Sequence, residues 1–301
     1  MSFNRWKSKD PTTWPFQIFN KYSTELSHMY IAQIGAKDYT YHHLGKVAKW
    51  EDKIDSHFQY SDPVHNRTFQ NIKQWSDSYN EFDNWINLNT IMAISSNLET
   101  YLSKTIQLAL ESDLGILFGV SKRIDGIEIL KYKGPTALNF EDKIVSCVKG
   151  EWNSRINSFI KIFGSAPTVL TDNVSEMEKI RKLRNNVGHA FGREIEESKR
   201  HDLINVNKSN RLSRERTIEY MKLIYGIAKE IDKQLLNNQI GEYQIVHFYH
   251  NLKDSLSTGD PFPEREHGNH TAVLKRKIGS FGVIPVGKKF CGELIDYYEA
   301  L

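Results

Sequence analysis

Apolar residues recur at three- and four-residue spacing over most of this chain, a pattern that predicts amphipathic helices. The successive series are Leu44, Val47, Trp50, Ile54 and Phe58; Phe69, Ile72, Trp75, Tyr79 and Phe82; Ile86, Ile91, Ile94, Leu98, Tyr101, Leu102, Ile106 and Leu110; Phe140, Ile144, Val145 and Val148; Trp152, Ile156, Phe159 and Phe163; and Ile218, Met221, Ile224, Ala228, Ile231 and Leu235. Because long helical segments dominate, we predict an all-α fold built as an up-and-down helical bundle.

The first two series are unusually rich in aromatic residues. Aromatic side chains at helical spacing either form a stacking platform for bases or pack inside the protein, and packing is by far the more frequent role. We therefore interpret both series as core. Glu99 lies beside the apolar stripe of residues 85–112 and either points to solvent or reaches a neighbouring arginine; of the two, solvation is the more frequent for a single glutamate on a helix.

The helical pattern suggests three regions. Residues 1–84 form a helical N-terminal region, residues 85–237 a central bundle, and residues 238–301 a C-terminal helical extension. Within the bundle, residues 114–135 carry glycines and short apolar runs, so we expect a small hairpin or an irregular insertion there.

Composition and charge narrow the function only slightly. The chain has 301 residues, 26% charged and 39% hydrophobic, with a formal net charge of +3, which is typical of a soluble globular protein. This mild basicity permits RNA as a partner without singling it out. Two cysteines, Cys147 and Cys291, suit a reducing compartment, and no uncharged run reaches membrane-spanning length. We expect a cytoplasmic protein that does not contact a membrane.

Residues 175–193 stand out from the other helical segments. Ser175 and Glu178 match a capping box at a helix start, and Gly192 is suited to end the helix. Between them one apolar face is formed by Met177, Ile180, Leu183 and Val187.

The same segment carries five residues that a buried helix does not need: Arg184, Asn185, Asn186, Gly188 and His189. Asparagine and glycine are poor helix formers, each costing up to about 1 kcal/mol relative to alanine. Arg184 and His189 are separated by roughly 140° around the helix axis and about 7.5 Å along it, so they do not share one stripe. A site that uses both needs another helix, from this chain or from a second copy.

No metal or cofactor site is predicted. His247, His250, His267 and His270 lie in the C-terminal part, but no second cluster with ligand spacing accompanies them. The sequence also lacks a pair of carboxylates spaced for two-metal nuclease chemistry. Any phosphodiester cleavage is therefore expected to proceed without a metal.

The string R-N-N-V-G-H, at Arg184–His189 late in a helix, resembles the signature of the HEPN superfamily, and the flanking helices within residues 85–237 resemble that family's bundle. The resemblance implies a metal-independent endoribonuclease that acts as a homodimer with a composite RNA-cleaving cleft. It implies that His189 is the general base or acid, that Arg184 stabilises charge on the phosphorane, and that Asn185 orients one of them or binds phosphate. Arg181 and Lys182, one turn earlier, either contact RNA phosphates or are solvated helix charges.

In one branch of that family a tyrosine follows two residues after the histidine, whereas this chain has Phe191. Control through modification of that tyrosine is therefore not expected. By analogy with the family, the resemblance suggests a toxin-like or anti-phage defence role, with a regulatory protein or an antitoxin as a further partner. Two alternatives stay open: a catalytically inactive HEPN-like module that binds RNA, a nucleotide or a protein, and a helical interaction protein in which the Arg184–His189 pair is accidental.

Overall fold

The prediction of an all-α protein is confirmed. A computed structural model describes residues 3–62, 64–65, 68–134, 139–195, 209–256, 266–279 and 281–301. Over these ranges there is no β-strand, and one isolated antiparallel bridge joins Asp113 and Asp125.

The described α-helices are, in order, α1 (Trp14–Val47), α2 (Ile72–Ser112), α3 (Gly126–Lys133), α4 (Glu141–Val148), α5 (Trp152–Phe163), α6 (Thr168–Thr171), α7 (Val174–Ala190), α8 (Arg214–Leu235), α9 (Tyr243–Leu256), α10 (Glu266–Ile278) and α11 (Lys288–Ala300). Two short 3-10 helices, Ile54–Ser56 and Leu114–Phe118, and a π-helical turn, Leu236–Ile240, complete the described elements. The predicted end of α5 at Gly164 is confirmed, since this glycine adopts a left-handed conformation (φ 82°) that caps the helix.

Residues 114–134 contain the 3-10 helix Leu114–Phe118, an irregular turn at 119–125 and α3, so the expected hairpin is wrong and the alternative of an irregular insertion is correct for the turn. Two carboxylates in and next to this segment accept hydrogen bonds from backbone N–H groups. Such bonds favour helix caps and turns over the pairing of β-strands. Asp113 Oδ1 accepts from the N–H of Lys122 at 2.7 Å, and Asp125 Oδ1 accepts from Ile127 at 3.0 Å to cap α3. The isolated bridge between the two aspartates is all that the described segment shows of strand pairing.

The chain folds into two compact units, each assembled from separated segments. The first unit consists of Met1–Asn20, Leu98–Ser175 and Tyr225–Leu301. One correction concerns Glu99, which is not simply solvated: its Oε1 lies 3.3 Å from Nη2 of the buried Arg155. A glutamate next to an apolar stripe can thus be partly covered when an arginine on another helix meets it.

A buried polar network fills part of the first unit. Arg5 donates to Asp125 Oδ1 (2.9 Å), Ser112 Oγ (2.9 Å) and the carbonyl of Ile240 (2.9 Å). Because each of these groups is hydrogen-bonded, the buried charges of Arg5 and Asp125 are compensated.

The second unit consists of Lys21–Asn97 and Glu176–Ile224. In it, α1 and α2 run antiparallel, as the order of their paired side chains shows. Tyr30 bonds Asn87 (2.6 Å), Lys37 bonds Asp83 (2.6 Å), and Tyr41 bonds Ser76 (2.9 Å).

The core interpretation of the two aromatic series is correct in part. Ile54 and Trp75 are buried in a cluster with Leu44 and Ile72. Trp50 and Phe82, however, are exposed, the latter at 45%. The two series are not simple helices either: the first is broken where α1 ends at Val47, and α2 continues from Ile72 through residues 84 and 85, where we placed a boundary.

Candidate functional site

The segment that resembles the family signature is a single helix, α7, in the second unit. Met177 and Ile180 are buried, as the apolar face predicts, and Leu183 and Val187 are half-buried. The start of the helix differs from the prediction. The helix begins at Val174, so Ser175 lies inside the first turn instead of preceding it. The carboxylate of Glu178 accepts hydrogen bonds from Arg181 Nε, with both oxygens at 3.0 Å.

The basic residues of α7 differ in their surroundings. Arg181 is engaged by Glu178, whereas Lys182 is exposed. Lys179 donates to Glu176, which also pairs with Arg216 of α8, and these contacts, led by the Lys179 hydrogen bond, lower the pKa of the Glu176 carboxyl. Of the two residues predicted to contact RNA, Lys182 is thus the more accessible.

Arg184 and Asn185 contact each other directly. Arg184 Nη1 donates to Asn185 Oδ1 at 3.1 Å, and both side chains are half-buried. A guanidinium held by a neighbouring amide loses less conformational freedom when it binds an anion, which is the kind of positioning that the prediction gave to Asn185.

His189 is exposed in the last turn of α7. Gly188, also exposed, has room for a side chain, because an added Cβ would come no closer than 4.0 Å to Met92 Sδ. Packing in the second unit therefore does not require glycine beside this histidine.

Asn186 has a structural role that the sequence did not reveal. The sequence places it among residues that a buried helix does not need, yet Asn186 is 6% exposed and its side-chain amide donates two hydrogen bonds. Its Nδ2 donates to Glu194 Oε1 (3.0 Å) and to Asn210 Oδ1 (3.1 Å). Asn186 thus fixes the chain that leaves α7.

The turn after α7 is tightly constrained. Its stop at Gly192, predicted from the sequence, is confirmed: Gly192 has φ 79°, donates to the carbonyl of Asn186 (2.8 Å) and accepts from the N–H of Asn210 (2.7 Å). The preceding residue, Phe191, is also left-handed, with φ 52°. A bulky residue in that region costs on the order of 1–3 kcal/mol, and such strain concentrates at functional sites.

A cavity of about 550 Å³ opens beside this turn, within the second unit. It is lined by Glu81, Phe82, Asn84, Trp85, Leu88, Phe191, Arg193 and Ser209. Phe191 and Arg193 follow His189 by two and four residues, so the cavity is adjacent in the chain to the signature.

Two features of the sequence indicate this cavity, but an analysis of helical periodicity does not detect them. Phe191 and Arg193 lie beyond the last periodic residue of α7, where an aromatic side chain has no helical face to join. Phe82 and Trp85 are three residues apart on α2, so their rings stack at 6.0 Å with an interplanar angle of 15°. We assigned Phe82 to the core and gave Trp85 no role.

Comparison with known proteins gives no relative. No protein-family model, no curated protein and no solved structure matches the chain. Within the described ranges, no helix combines the length and apolar character needed to cross a membrane. The family resemblance therefore stays a prediction that rests on the string Arg184–His189 and its helical surroundings.

Proposed function

We propose that this chain is a metal-independent endoribonuclease of the HEPN type, acting as a homodimer in a toxin-like or anti-phage response. One arrangement supports the proposal: Arg184, held by Asn185, and the exposed His189 lie on one helix of an all-α protein. The ribose 2′-OH would attack the adjacent phosphate, leaving a cyclic phosphate and a 5′-OH.

Each of the three residues has a chemical role in this reaction. Imidazole both accepts and donates protons near neutral pH, so His189 deprotonates the 2′-OH or protonates the leaving 5′-oxygen. The planar guanidinium of Arg184 donates to the phosphorane oxygens as negative charge develops on them. Asn185 keeps that guanidinium in place through the bond from Nη1 to Oδ1.

The first test is cleavage of RNA by the purified chain in EDTA, with analysis of the product ends. His189→Ala is expected to lower the cleavage rate about 10²–10⁴-fold, the usual contribution of a general acid or base. His42→Ala on α1 and Arg276→Ala on α10, both exposed, are the matched controls and should keep full activity. Cleavage that survives both His189→Ala and Arg184→Ala would contradict the proposal, whereas RNA bound but uncut by the native chain would favour the inactive binding module.

The second test addresses the composite cleft. If Arg184 of one copy works with His189 of the other, each heterodimer of the Arg184→Ala and His189→Ala chains has one intact site. Random pairing of the two inactive chains should then restore about a quarter of native activity. Co-expression with two purification tags, followed by the EDTA assay, measures this. An isolated heterodimer that does not cleave RNA would contradict the composite site. The proposal that the native chain cleaves RNA would still be decided by the first test.

A further inference from the structure

The cavity beside α7 exposes an unusual concentration of aromatic surface. Phe82 is 45% exposed, Trp85 43% and Phe191 67%. Exposed apolar surface of this kind is unfavourable in water and commonly marks a binding site. The volume of about 550 Å³ lies within the ~300–1,000 Å³ of small-ligand pockets.

Two walls of this cavity are held in place before anything binds. Asn84 of α2 donates to the carbonyl of Asn210 at 2.8 Å and accepts from the N–H of Leu212 at 2.9 Å. Asn210 in turn donates to the carbonyl of Gly192. The turn also lies close to α2, since a Cβ on Gly192 would come 3.1 Å from Leu88 Cδ1. Rings carried by walls fixed in this way lose little freedom on binding.

The charged groups at the cavity suit a single nucleic-acid strand, which combines anionic phosphates with flat, uncharged bases. Among the cavity-lining residues that the structure describes, the acidic one is Glu81, which is paired with Arg211. The guanidinium of Arg193 lies 5.4 Å from the centre of the Phe191 ring, which places a cation next to an aromatic face. Aromatic rings and arginine together form the platforms on which single-stranded nucleic acids stack.

We propose that this cavity is a nucleobase-binding subsite, in which an unpaired base of the RNA stacks on the aromatic side chains of Phe191, Phe82 and Trp85. Arg193 contacts the phosphate of the same nucleotide. The inference rests on the proposed function, because it takes the bound strand to be the RNA presented to Arg184 and His189. Phe191 and Arg193 are only two and four residues beyond His189, so the stacked base belongs to a nucleotide close to the cleaved bond.

The test measures binding of a 2′-O-methyl oligoribonucleotide, which lacks the attacking hydroxyl and is not cut. Fluorescence anisotropy is recorded for the native chain and for Phe191→Ala, Phe191→Tyr and Trp85→Ala. Loss of one stacked ring weakens binding roughly tenfold, whereas Phe191→Tyr retains it. The matched control is Phe118→Ala, which removes a ring 72% exposed in the first unit and should leave affinity unchanged. Circular dichroism confirms that each variant folds.

A second strand with the same backbone but abasic positions separates stacking from phosphate binding. The native chain should bind it at least roughly tenfold more weakly, and Phe191→Ala, which keeps Phe82 and Trp85, should distinguish the two strands less than the native chain does. Equal affinity of the native chain for both strands, or equal affinity of all variants for the base-bearing strand, would overturn the subsite.

The proposed ribonuclease activity and the proposed subsite can be contradicted independently of each other. Normal cleavage by Phe191→Ala together with unchanged strand affinity overturns the subsite and leaves the ribonuclease intact. Base-dependent binding that Phe191→Ala weakens, in a chain that cuts no RNA in EDTA, supports the subsite and contradicts the ribonuclease.

Discussion

Arg5 in the first unit and Arg184 in the second are both held by neighbouring side chains, but in opposite environments. Arg5 is buried, and its donors reach a carboxylate, a hydroxyl and a carbonyl. Arg184 is half-buried on α7 and held by an amide, five residues before an exposed histidine and seven before a strained, exposed aromatic residue. A buried and satisfied charge contributes to folding, while a positioned and accessible one is available to a ligand.

Removal of the Arg5 guanidinium should have the largest effect on stability. Arg5→Met leaves Asp125 buried without its cationic partner, and breaking a buried pair in this way costs about 3–5 kcal/mol. Urea unfolding measures the loss. Arg276→Met, an exposed arginine in the same unit, is the control and should change stability by less than about 0.5 kcal/mol. If Arg5→Met were as mild as Arg276→Met, the contrast between the two environments would be lost.

A buried carboxyl of the first unit should make stability depend on pH. Burial raises the pKa of Glu242 to about 7 from 4.5, opposed by the N–H of Lys9 and the charge of Arg5 and reinforced by Asp10. The folded state thus binds a proton that the unfolded state has released. Its stabilising effect is present below pH 4.5 and is lost as the pH rises through about 7, by roughly 3 kcal/mol.

Glu242→Gln should flatten that dependence, because glutamine does not titrate while its Oε1 still accepts from Lys9. The slope of the unfolding free energy against pH should become smaller but not zero, because burial also raises the pKa of Asp232, to about 6. Unfolding free energies from pH 4.5 to 8 measure it, with the exposed Glu151→Gln as control. A slope unchanged by Glu242→Gln would show that this carboxyl is not the group that titrates.

Periodicity predicted the helices well because it reports which face of a helix is buried. It predicted the end of α5 at Gly164 and the buried face of α7 at Met177 and Ile180. It did not predict which neighbour covers each position. Phe82 follows Trp75 and Tyr79 at helical spacing, yet Trp75 is buried and Phe82 is exposed.

The candidate site was predicted only as far as chemistry is local. Arg184, Asn185 and His189 were identified because the short string R-N-N-V-G-H resembles a family signature, which can be read from local sequence alone. The role of Asn186 depends on Asn210, which is 24 positions away in sequence, and no local pattern indicates that contact. The cavity combines residues of α2 with the turn after α7, so only the folded second unit brings its rings together.

Substitution of Phe191 should give the smallest change in stability, and it tests whether this residue, like Arg184, is held in place for a ligand. Glycine relieves the left-handed strain at φ 52°, while its greater freedom in the unfolded chain costs about 0.5–1 kcal/mol. Because the ring is largely exposed, little burial is lost, and Phe191→Gly should raise stability by about 0.5 kcal/mol in urea unfolding. Phe118→Gly, equally exposed but in a 3-10 helix, should lower it by about 1 kcal/mol. A gain in stability accompanied by weaker RNA binding would show that the strain at Phe191 is maintained for its ring, whereas a loss of stability would mean that the ring packs in the fold.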